Sequence, residues 1–210
     1  MSENPLNWGI LGTARIADRI APAIQATPGA TLVAVASRNA DRAARWAEDH
    51  QVPASYGAYE DLLSNPEIDC VYIPLPPSLH AEWTIKSLAA GKHVLCEKPL
   101  AATLEDAIAM AAASRQFGRL LMDGVMWRHH PRAVDMHTRI RDGSLGELRR
   151  ITAAFTFRGT ALWQADDLRF QRALGGGSLL DLGWYCVGAA LWATGTMTLC
   201  VWGRGRYMAA

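Results

Sequence analysis

The sequence lacks an excess of charge, a long apolar run and an apolar leader. Its 210 residues carry 21 basic and 20 acidic side chains, for a net charge of +1, so electrostatics favours neither nucleic acid nor an anionic membrane as a partner. No apolar run approaches the roughly 20 residues that a membrane span needs. The polar N-terminus, MSENPLNW, does not resemble a signal peptide. We therefore expect a cytoplasmic protein with no nucleic-acid or membrane partner.

Paired cysteines and clustered metal ligands are also lacking. The four cysteines stand at positions 70, 96, 186 and 200 and form no C-x-x-C pair. Cys70 and Cys96 lie in apolar, strand-like runs, where a small buried thiol is the ordinary expectation. His129 and His130 are adjacent, so on regular secondary structure their side chains point in different directions. The sequence therefore predicts no metal site.

What the chain does have is enough apolar material for a core, since 50% of its residues are hydrophobic. Up to residue 122, short apolar runs alternate with segments of helical length. The predicted strands are Leu6–Leu11, Thr31–Ala36, Asp69–Ile73, His93–Cys96 and Arg119–Met122. The predicted helices are Ala14–Ala26, Ala40–His50, Ser78–Ala90 and Thr103–Phe117, the last two capped by Ser78 and Thr103. This alternation predicts an α/β fold with a doubly wound parallel sheet.

The pattern changes near Asp123, where we place a domain boundary between residues 1–122 and 123–210. The second part begins its regular structure with a predicted strand at Leu148–Phe157, rich in β-branched and aromatic residues. The glycine run Gly175–Gly177 then leads into a predicted amphipathic helix, Ser178–Ala193.

The turn after the first predicted strand has the spacing of the dinucleotide-binding fingerprint G-x-G-x-x-G/A. It reads Gly12-Thr13-Ala14-Arg15-Ile16-Ala17, with alanine in place of the second glycine. Small residues at these positions allow a tight turn, a close approach of the pyrophosphate and close helix–strand packing. A plain strand-to-helix turn is the alternative, but the position between a predicted strand and a predicted helix favours a bound dinucleotide.

The end of the second predicted strand lacks the acidic residue that holds the ribose of NAD. Ser37 and Arg38 stand there instead. A hydroxyl and a guanidinium suit a 2′-phosphate, because arginine forms charge-assisted hydrogen bonds with it. We therefore expect NADP(H) to be preferred over NAD(H), although a solvated surface charge is the alternative role for Arg38.

Three stretches resemble the glucose–fructose oxidoreductase / inositol dehydrogenase / MocA family. They are GILGTARIA, IPLPPSLHAEWTIKSLAAGKHVLCEKPLA (residues 73–101) and GGGSLLDLGWYCV (residues 175–187). Within the family, the chain is most similar to the dihydrodiol dehydrogenase and NADP-dependent xylose dehydrogenase branch. The resemblance covers about residues 5–195. It implies an N-terminal Rossmann domain, a C-terminal domain with a mainly antiparallel sheet, and hydride transfer between NADP(H) and the carbinol carbon of a sugar or cyclic diol.

The resemblance also implies three catalytic residues. Lys98, in the Glu97-Lys98-Pro99 signature, would lie beside the nicotinamide and the substrate hydroxyl, where its charge can stabilise a developing alkoxide or its amine can relay a proton. Asp181 would orient the substrate hydroxyls or the lysine. Tyr185 stands where many relatives have histidine and would donate a proton to the carbonyl. From the residues alone, a surface pair of Lys98 with Glu97, a surface charge at Asp181 and a core aromatic at Tyr185 remain alternatives.

The same resemblance completes the expected cofactor contacts and suggests pocket residues. The expected cofactor-binding residues are Gly12, Thr13, Ala14, Arg15, Ile16, Ser37, Arg38, Pro74, His80, Glu97 and Lys98. For His80, a helix-capping or core role is nearly as plausible an alternative. Trp127 and Arg128 fall where relatives line the substrate pocket, and a core position is the alternative for Trp127.

Members of this family are longer than this chain, and family-like sequence ends near Gly195. Residues 196–210 lack the alternating strands of a substrate domain and read as unrelated to the family. We therefore expect an incomplete α+β C-terminal domain, and the homo-oligomer typical of relatives is doubtful here. Two other functions stay open: a dinucleotide-binding regulatory protein without turnover, and an inactive fragment. A cyclic diol, an aldopentose and an anhydro-sugar all remain possible substrates.

Overall fold

The computed structural model describes residues 5–156 and 167–195, together with residues 200 and 202. These residues group into two compact units. The first contains residues 5–125 and 167–181, and the second contains residues 126–156 and those from 182 onward. The division predicted at residues 122 and 123 stays a prediction.

A six-stranded parallel sheet forms the centre of the first unit. Its strands are β1 (Leu6–Leu11), β2 (Ala30–Ala36), β3 (Ala54–Tyr56), β4 (Cys70–Ile73), β5 (His93–Cys96) and β6 (Leu121–Asp123). They run in the order β3-β2-β1-β4-β5-β6, with every neighbouring pair parallel. This is the strand order of a Rossmann fold, whose ligands bind where the order reverses, here between β1 and β4. The predicted fold class is confirmed for this part of the chain.

Five helices connect the strands. They are α1 (Ala17–Ala26), α2 (Ala40–Asp49), α3 (Tyr59–Ser64), α4 (Pro77–Ala89) and α5 (Leu104–Phe117). Adjacent residues of a strand face opposite sides of the sheet, so Leu11 and Ile73 enter one apolar core with α3, α4 and α5. Ile10 and Tyr72 enter the other core, with α1 and α2. Both faces of the sheet are thus covered, as a doubly wound sheet requires.

The helix ends test the predicted caps. Thr103 caps α5, since its Oγ1 accepts a hydrogen bond of 3.1 Å from the Asp106 amide, which confirms the prediction. Ser78 is not the cap of α4, because that helix begins at Pro77 with Pro76 as its N-cap. Proline at the first helical position has a φ angle suited to the helix and no N–H to satisfy, so the helix starts one residue earlier than predicted.

Several elements differ from the sequence prediction in length or existence. β3, α3 and α6 (Pro131–Arg141) were not predicted. The three residues of β3 are too few to show an alternation, and the six of α3 are too few to show a helical repeat. The strand predicted at Leu148–Phe157 is wrong for residues 148–156, which are exposed and form no strand; residue 157 lies outside the described residues. An extended segment is a strand only when another strand pairs with it, and the described residues supply none there.

The described part of the second unit is helical. It contains a 3₁₀ turn at Met126–His129, α6 and α7 (Trp184–Thr194). Among its described residues only Ala133 is buried. No helix in the described ranges is long and apolar enough to cross a membrane.

Candidate active site

The turn after β1 has the geometry of a dinucleotide cradle. Gly12 has a φ of +114°, and a Cβ added there would lie 2.9 Å from Cδ2 of Leu75. Both the backbone conformation and the close side chain therefore favour glycine. The next residues form a turn in which the Ala17 amide donates to the Ala14 carbonyl at 2.8 Å. α1 therefore begins at Ala17 rather than at Ala14, and its N-terminus follows the turn directly.

Two polar features of this cradle suit an anion. The N-cap residue of α1, Ile16, makes no side-chain capping hydrogen bond, so its side chain does not cap the helix end that follows the turn. Oγ1 of Thr13 is buried and has no hydrogen-bond partner among the described residues. Helix N-termini with outward-pointing amides bind phosphate groups, and a buried hydroxyl of this kind calls for a partner. The cradle thus fits the pyrophosphate of a dinucleotide.

Two arginines flank the carboxyl end of β2. The positive charges of Arg38 and Arg42 both act on the Tyr59 hydroxyl. Burial raises the pKa of Tyr59, and the two guanidinium groups offset only part of this effect. The Tyr59 hydroxyl lies 3.8 Å from the position of a Cβ added at Gly12, so these cations stand close to the cradle.

Ser37 is fully buried beside Arg38, and its backbone is fixed. Its amide donates to the Tyr56 carbonyl at 3.0 Å, and its Oγ accepts from the Asn39 amide at 3.3 Å. Asn39 in turn caps α2 by accepting from the Arg42 amide at 2.8 Å. Sequence reasoning found Ser37 and Arg38 but missed Arg42, although its place in the first turn of the next helix was a usable signal.

The expected catalytic lysine is paired with the expected catalytic aspartate. Lys98 Nζ donates to Asp181 Oδ1 at 2.8 Å and to the Asp181 carbonyl oxygen at 3.1 Å. Both side chains are partly buried, with exposed fractions of 18% and 22%. Lys98 follows β5, and the carboxyl ends of parallel strands form the ligand-binding edge of such a sheet. Of the two roles expected for Asp181, the contact in the structure is with the lysine.

Glu97 holds the backbone of the lysine. Its Oε1 accepts from the Tyr72 hydroxyl at 2.6 Å, and its Oε2 accepts from the Lys98 amide at 3.0 Å. Burial, followed by the Glu97 charge, raises the pKa of Tyr72, so this hydroxyl stays a donor. These contacts fit a supporting role for Glu97, and a direct contact with a cofactor stays a prediction.

His80 joins the two loops that follow β4 and β5. It is 1% exposed, and its Nε2 and Nδ1 lie 2.7 Å from the Leu75 carbonyl oxygen and 2.9 Å from that of Pro99. Burial lowers the pKa of His80, and the carbonyl groups, which favour the protonated ring, offset only part of this. The contacts correspond to the core alternative for this residue. Pro74 is also buried, directly after β4.

Arg169 approaches Asp181 from the other side of the carboxylate. Its Nε lies 3.1 Å from Asp181 Oδ2, and its Nη1 lies 3.1 Å from both carboxylate oxygens of Asp167. Although burial raises the pKa of Asp167, the hydrogen bonds and charge of Arg169, with a further contribution from Arg15, lower it overall. Sequence reasoning missed Arg169 and Asp167, because nothing in their local sequence indicates a contact with the loop after β5.

Tyr185 lies in the second unit and lines a cavity there. Its ring meets Phe155 edge to face, with centroids 5.0 Å apart, and the cavity holds about 230 Å³. The lining residues are Trp127, Ala153, Ala154, Phe155, Tyr185, Cys186 and Ala189. Trp127 also contacts the ring of Trp192, and its expected place in the substrate pocket stays a prediction. Arg128 stacks on Trp127 and does not line this cavity. The expected role of Tyr185 as a proton donor stays a prediction.

The helix predicted at Ser178–Ala193 is divided into two parts. Residues Leu179–Gly183 form a π-helical turn, and only Trp184–Thr194 is α-helical. Tyr185 therefore lies in the first turn of α7, whereas Asp181 lies in the π turn, which has more residues per turn than an α-helix. Such turns occur frequently at functional sites.

A metal site would require several ligating side chains close together. No cluster of three histidine, cysteine, aspartate or glutamate side chains among them is arranged to hold a metal ion.

Comparison with known proteins gives matches over both parts of the chain. Residues 6–125 match the GFO/IDH/MocA oxidoreductase family with an NAD-binding Rossmann fold, and residues 134–209 match the GFO/IDH/MocA C-terminal domain. The second match extends past Gly195, so the expectation that residues 196–210 are unrelated to the family is wrong.

Individual relatives are reductases and dehydrogenases. The chain is 42% identical, over 89% of its length, to dTDP-3,4-didehydro-2,6-dideoxy-alpha-D-glucose 3-reductase of Actinomadura kijaniata. It is 40% identical, over 90% of its length, to D-xylose 1-dehydrogenase (NADP(+)) 2 of Haloferax volcanii. The crystal structure of KijD10, a 3-ketoreductase from Actinomadura kijaniata in complex with NADP and TDP-benzene, superimposes with a TM-score of 0.84 at 40% identity, covering 91% of this chain. The alignments cover 55%, 57% and 58% of those proteins, so the chain spans about half of their length.

Proposed function

Because this chain belongs to the GFO/IDH/MocA family of oxidoreductases, we propose that it transfers a hydride between NADP(H) and the carbinol carbon of a sugar or cyclic diol. The observation that carries this proposal is the Lys98–Asp181 ion pair of 2.8 Å, placed at the carboxyl edge of a sheet whose first turn is a dinucleotide cradle. The nicotinamide, when bound, supplies the hydride chemistry. The protein supplies binding, orientation and charge.

The corner formed by Ser37, Arg38 and Arg42 supports NADP(H) as the cofactor. Two cations close to the cradle favour a phosphate over a bare ribose hydroxyl, since arginine matches phosphate geometry with paired hydrogen bonds. Two relatives also support NADP(H), because the name of one includes NADP(+) and the other was crystallised with NADP.

Lys98 is the proposed acid–base group. An ammonium group held by Asp181 stabilises negative charge on a substrate oxygen as the carbon–hydrogen bond breaks, and it can pass a proton to or from that oxygen. Asp181 fixes the direction of the amine through two contacts, one from its carboxylate and one from its carbonyl oxygen. We propose Tyr185 as the second proton-transfer group, next to a cavity whose aromatic walls suit the face of a ring.

The proposed substrate is a small polyol or sugar, and the proposed location is the cytoplasm. The relatives named above act, by their names, on a dTDP-linked deoxysugar and on D-xylose. The cavity beside Tyr185 has mostly apolar walls, which fits a ring with one apolar face, such as a deoxysugar or a cyclic diol. The proposal involves neither nucleic acid nor a membrane as partner.

The cofactor proposal predicts a selective loss of NADPH affinity in arginine variants. Hydrogen bonds to charged groups contribute about 1.5–3 kcal/mol, so Arg38→Ala and Arg42→Ala should each weaken NADPH binding roughly 10- to 100-fold and leave NADH binding nearly unchanged. Titration of the purified chain, followed by nicotinamide fluorescence, measures both. Arg45→Ala, which removes the same charge from an exposed position of α2, is the matched control. An equal loss of affinity for both cofactors would contradict the assignment.

Turnover separates the enzyme from a nucleotide-sensing protein. A panel of cyclic diols, aldopentoses and deoxysugars, assayed with NADP+, should show at least one substrate, and Lys98→Met should lose turnover. Tight NADPH binding with no turnover on any panel member would instead support a regulatory role.

A further inference from the structure

We propose that Arg169 is a positioning residue for Lys98, acting through the carboxylate of Asp181. The inference rests on the proposed function for its consequence in catalysis, but its structural content can be tested without turnover. Nothing in the sequence motifs points to Arg169, which lies in the segment that precedes the glycine run.

The carboxylate of Asp181 binds one cation on each oxygen. Oδ1 accepts from Lys98 Nζ at 2.8 Å, and Oδ2 accepts from Arg169 Nε at 3.1 Å. A carboxylate with a single partner can rotate about its terminal bond, whereas one held at both oxygens has a fixed plane. The direction in which Asp181 holds the amine is therefore set in part by Arg169.

Arg169 is itself held from two directions. Its Nη1 contacts both oxygens of Asp167 at 3.1 Å, and its amide donates to Asp167 Oδ1 at 3.0 Å. Its carbonyl oxygen accepts from the Gly177 amide at 2.9 Å. The planar guanidinium group keeps its direction well when several of its donors are used at once, so it provides a rigid support for Asp181.

The four side chains alternate in charge along Lys98, Asp181, Arg169 and Asp167. Glu97 also neighbours the lysine, and it contacts the lysine amide rather than continuing this series. With Arg169 present, the negative charge of Asp181 is shared between two cations. Without Arg169, the whole carboxylate is available to Lys98, which makes the Lys98–Asp181 ion pair tighter.

The chain contains only three lysines, at positions 86, 92 and 98, which makes amine labelling a direct test. Only the neutral amine reacts with an acylating reagent such as acetic anhydride, and mass spectrometry reports each site separately. Lys86 is exposed, so its acylation rate serves as the reference for the reactivity of the reagent. Lys92 is 4% exposed and donates to the carbonyls of Asn65 and Ile68, so it reacts only when the first unit opens.

We expect Arg169→Ala to slow acylation at Lys98 about three- to tenfold at pH 8, as one nearby charge in a partly solvated site implies. Asp181→Asn should have the opposite effect and speed it. Arg169→Lys restores the charge without the paired contacts to Asp167, so it should recover the rate only in part. Arg139→Ala, which breaks the exposed Arg139–Asp135 pair, is the matched control and should leave the rate unchanged.

Two outcomes would overturn the proposal. One is an acylation rate at Lys98 that is the same in Arg169→Ala as in the unaltered chain, while slow acylation of Lys92 shows that the first unit is folded. The other is faster labelling at Lys92 and Lys98 together, which identifies Arg169 as a structural residue only. If a substrate is found, Arg169→Ala should lower kcat more than it changes KM. If neither cofactor nor substrate binds, the labelling result still stands, so failure of the proposed function and failure of this inference are distinguishable.

Discussion

Two cysteine thiols of the first unit lie in surroundings that oppose their ionisation. Burial, with a smaller effect of Asp69, raises the pKa of Cys70 to about 11. Burial is also the main cause that raises the pKa of Cys96 to about 12. Both thiols lie in strands, as their apolar sequence surroundings predict, and Cys200 is exposed. The thiols of β4 and β5 are therefore neutral packing groups at physiological pH.

The raised values predict a loss of stability at alkaline pH. An unfolded thiol ionises near pH 9, whereas the folded Cys70 and Cys96 resist, so their contribution is complete below pH 9 and is lost as pH rises towards 11–12. As pH rises through this window, ionisation of each thiol in the unfolded state should lower the free energy of unfolding by up to about 1.4 kcal/mol per pH unit.

Denaturant unfolding between pH 8 and 10.5 measures this slope. Cys96→Ala should reduce the slope, whatever its effect on stability at pH 8, and Cys200→Ala should leave it unchanged. Identical slopes in all three proteins would show that Cys96 ionises in the folded state much as it does in a peptide.

At the scale of elements, the glycine run does more than precede a helix. A Cβ added at Gly176 would lie 2.4 Å from the Leu168 carbonyl oxygen and 2.8 Å from those of Arg169 and Gln171. The Gly176 amide also donates to the Gln171 carbonyl at 3.0 Å. The run thus packs against the backbone of the turn that carries Arg169, and it leads directly to Asp181. Close backbone approach is the reason for glycine here.

Gly176→Ala should accordingly destabilise this segment. The contacted atoms belong to backbone and cannot rotate away, so we expect a cost of about 1–3 kcal/mol. Gly188→Ala is the control: among the described residues, a Cβ added there in α7 would meet Arg128 Nη2 alone, at 3.7 Å, and alanine is the better helix former. Thermal unfolding and limited proteolysis would contradict the packing argument if the two variants behaved alike.

Local signals in the sequence predicted the strands well and the contacts between distant segments poorly. β1, β2, β4 and β5 lie within one residue of their predicted bounds because each is a short apolar run between turn residues. Gly12 and Thr103 were predicted from turn and cap chemistry, which depends on neighbouring residues only. Arg169 was not predicted, because its contact with Asp181 depends on how the glycine run packs against the turn that carries Arg169. The expected strand at 148–157 failed for a similar reason, since a strand requires a partner.

On the scale of the whole molecule, burial is concentrated in the first unit. Both apolar cores belong to the Rossmann sheet and its helices, whereas only Ala133 is buried among the described residues of the second unit. Stability follows buried apolar area. Opening of α6 should therefore require much less free energy than opening of the central strands β1, β2 and β4.

Cofactor binding should widen this difference. A ligand that binds only the folded form stabilises it by RT ln(1 + [L]/Kd), about 2.7 kcal/mol at a hundred times Kd, and the cradle and the arginine corner both belong to the first unit. Hydrogen exchange should show slow exchange in β1, β2 and β4, fast exchange in α6, and added protection of residues 12–17 and 37–42 with NADPH. NADH at the same concentration should add less protection, and Arg38→Ala should remove the difference between the two cofactors. Equal protection by both cofactors in the unaltered chain would mean that the guanidinium groups do not bind the 2′-phosphate, and the preference for NADP(H) would then have no basis in this corner of the sheet.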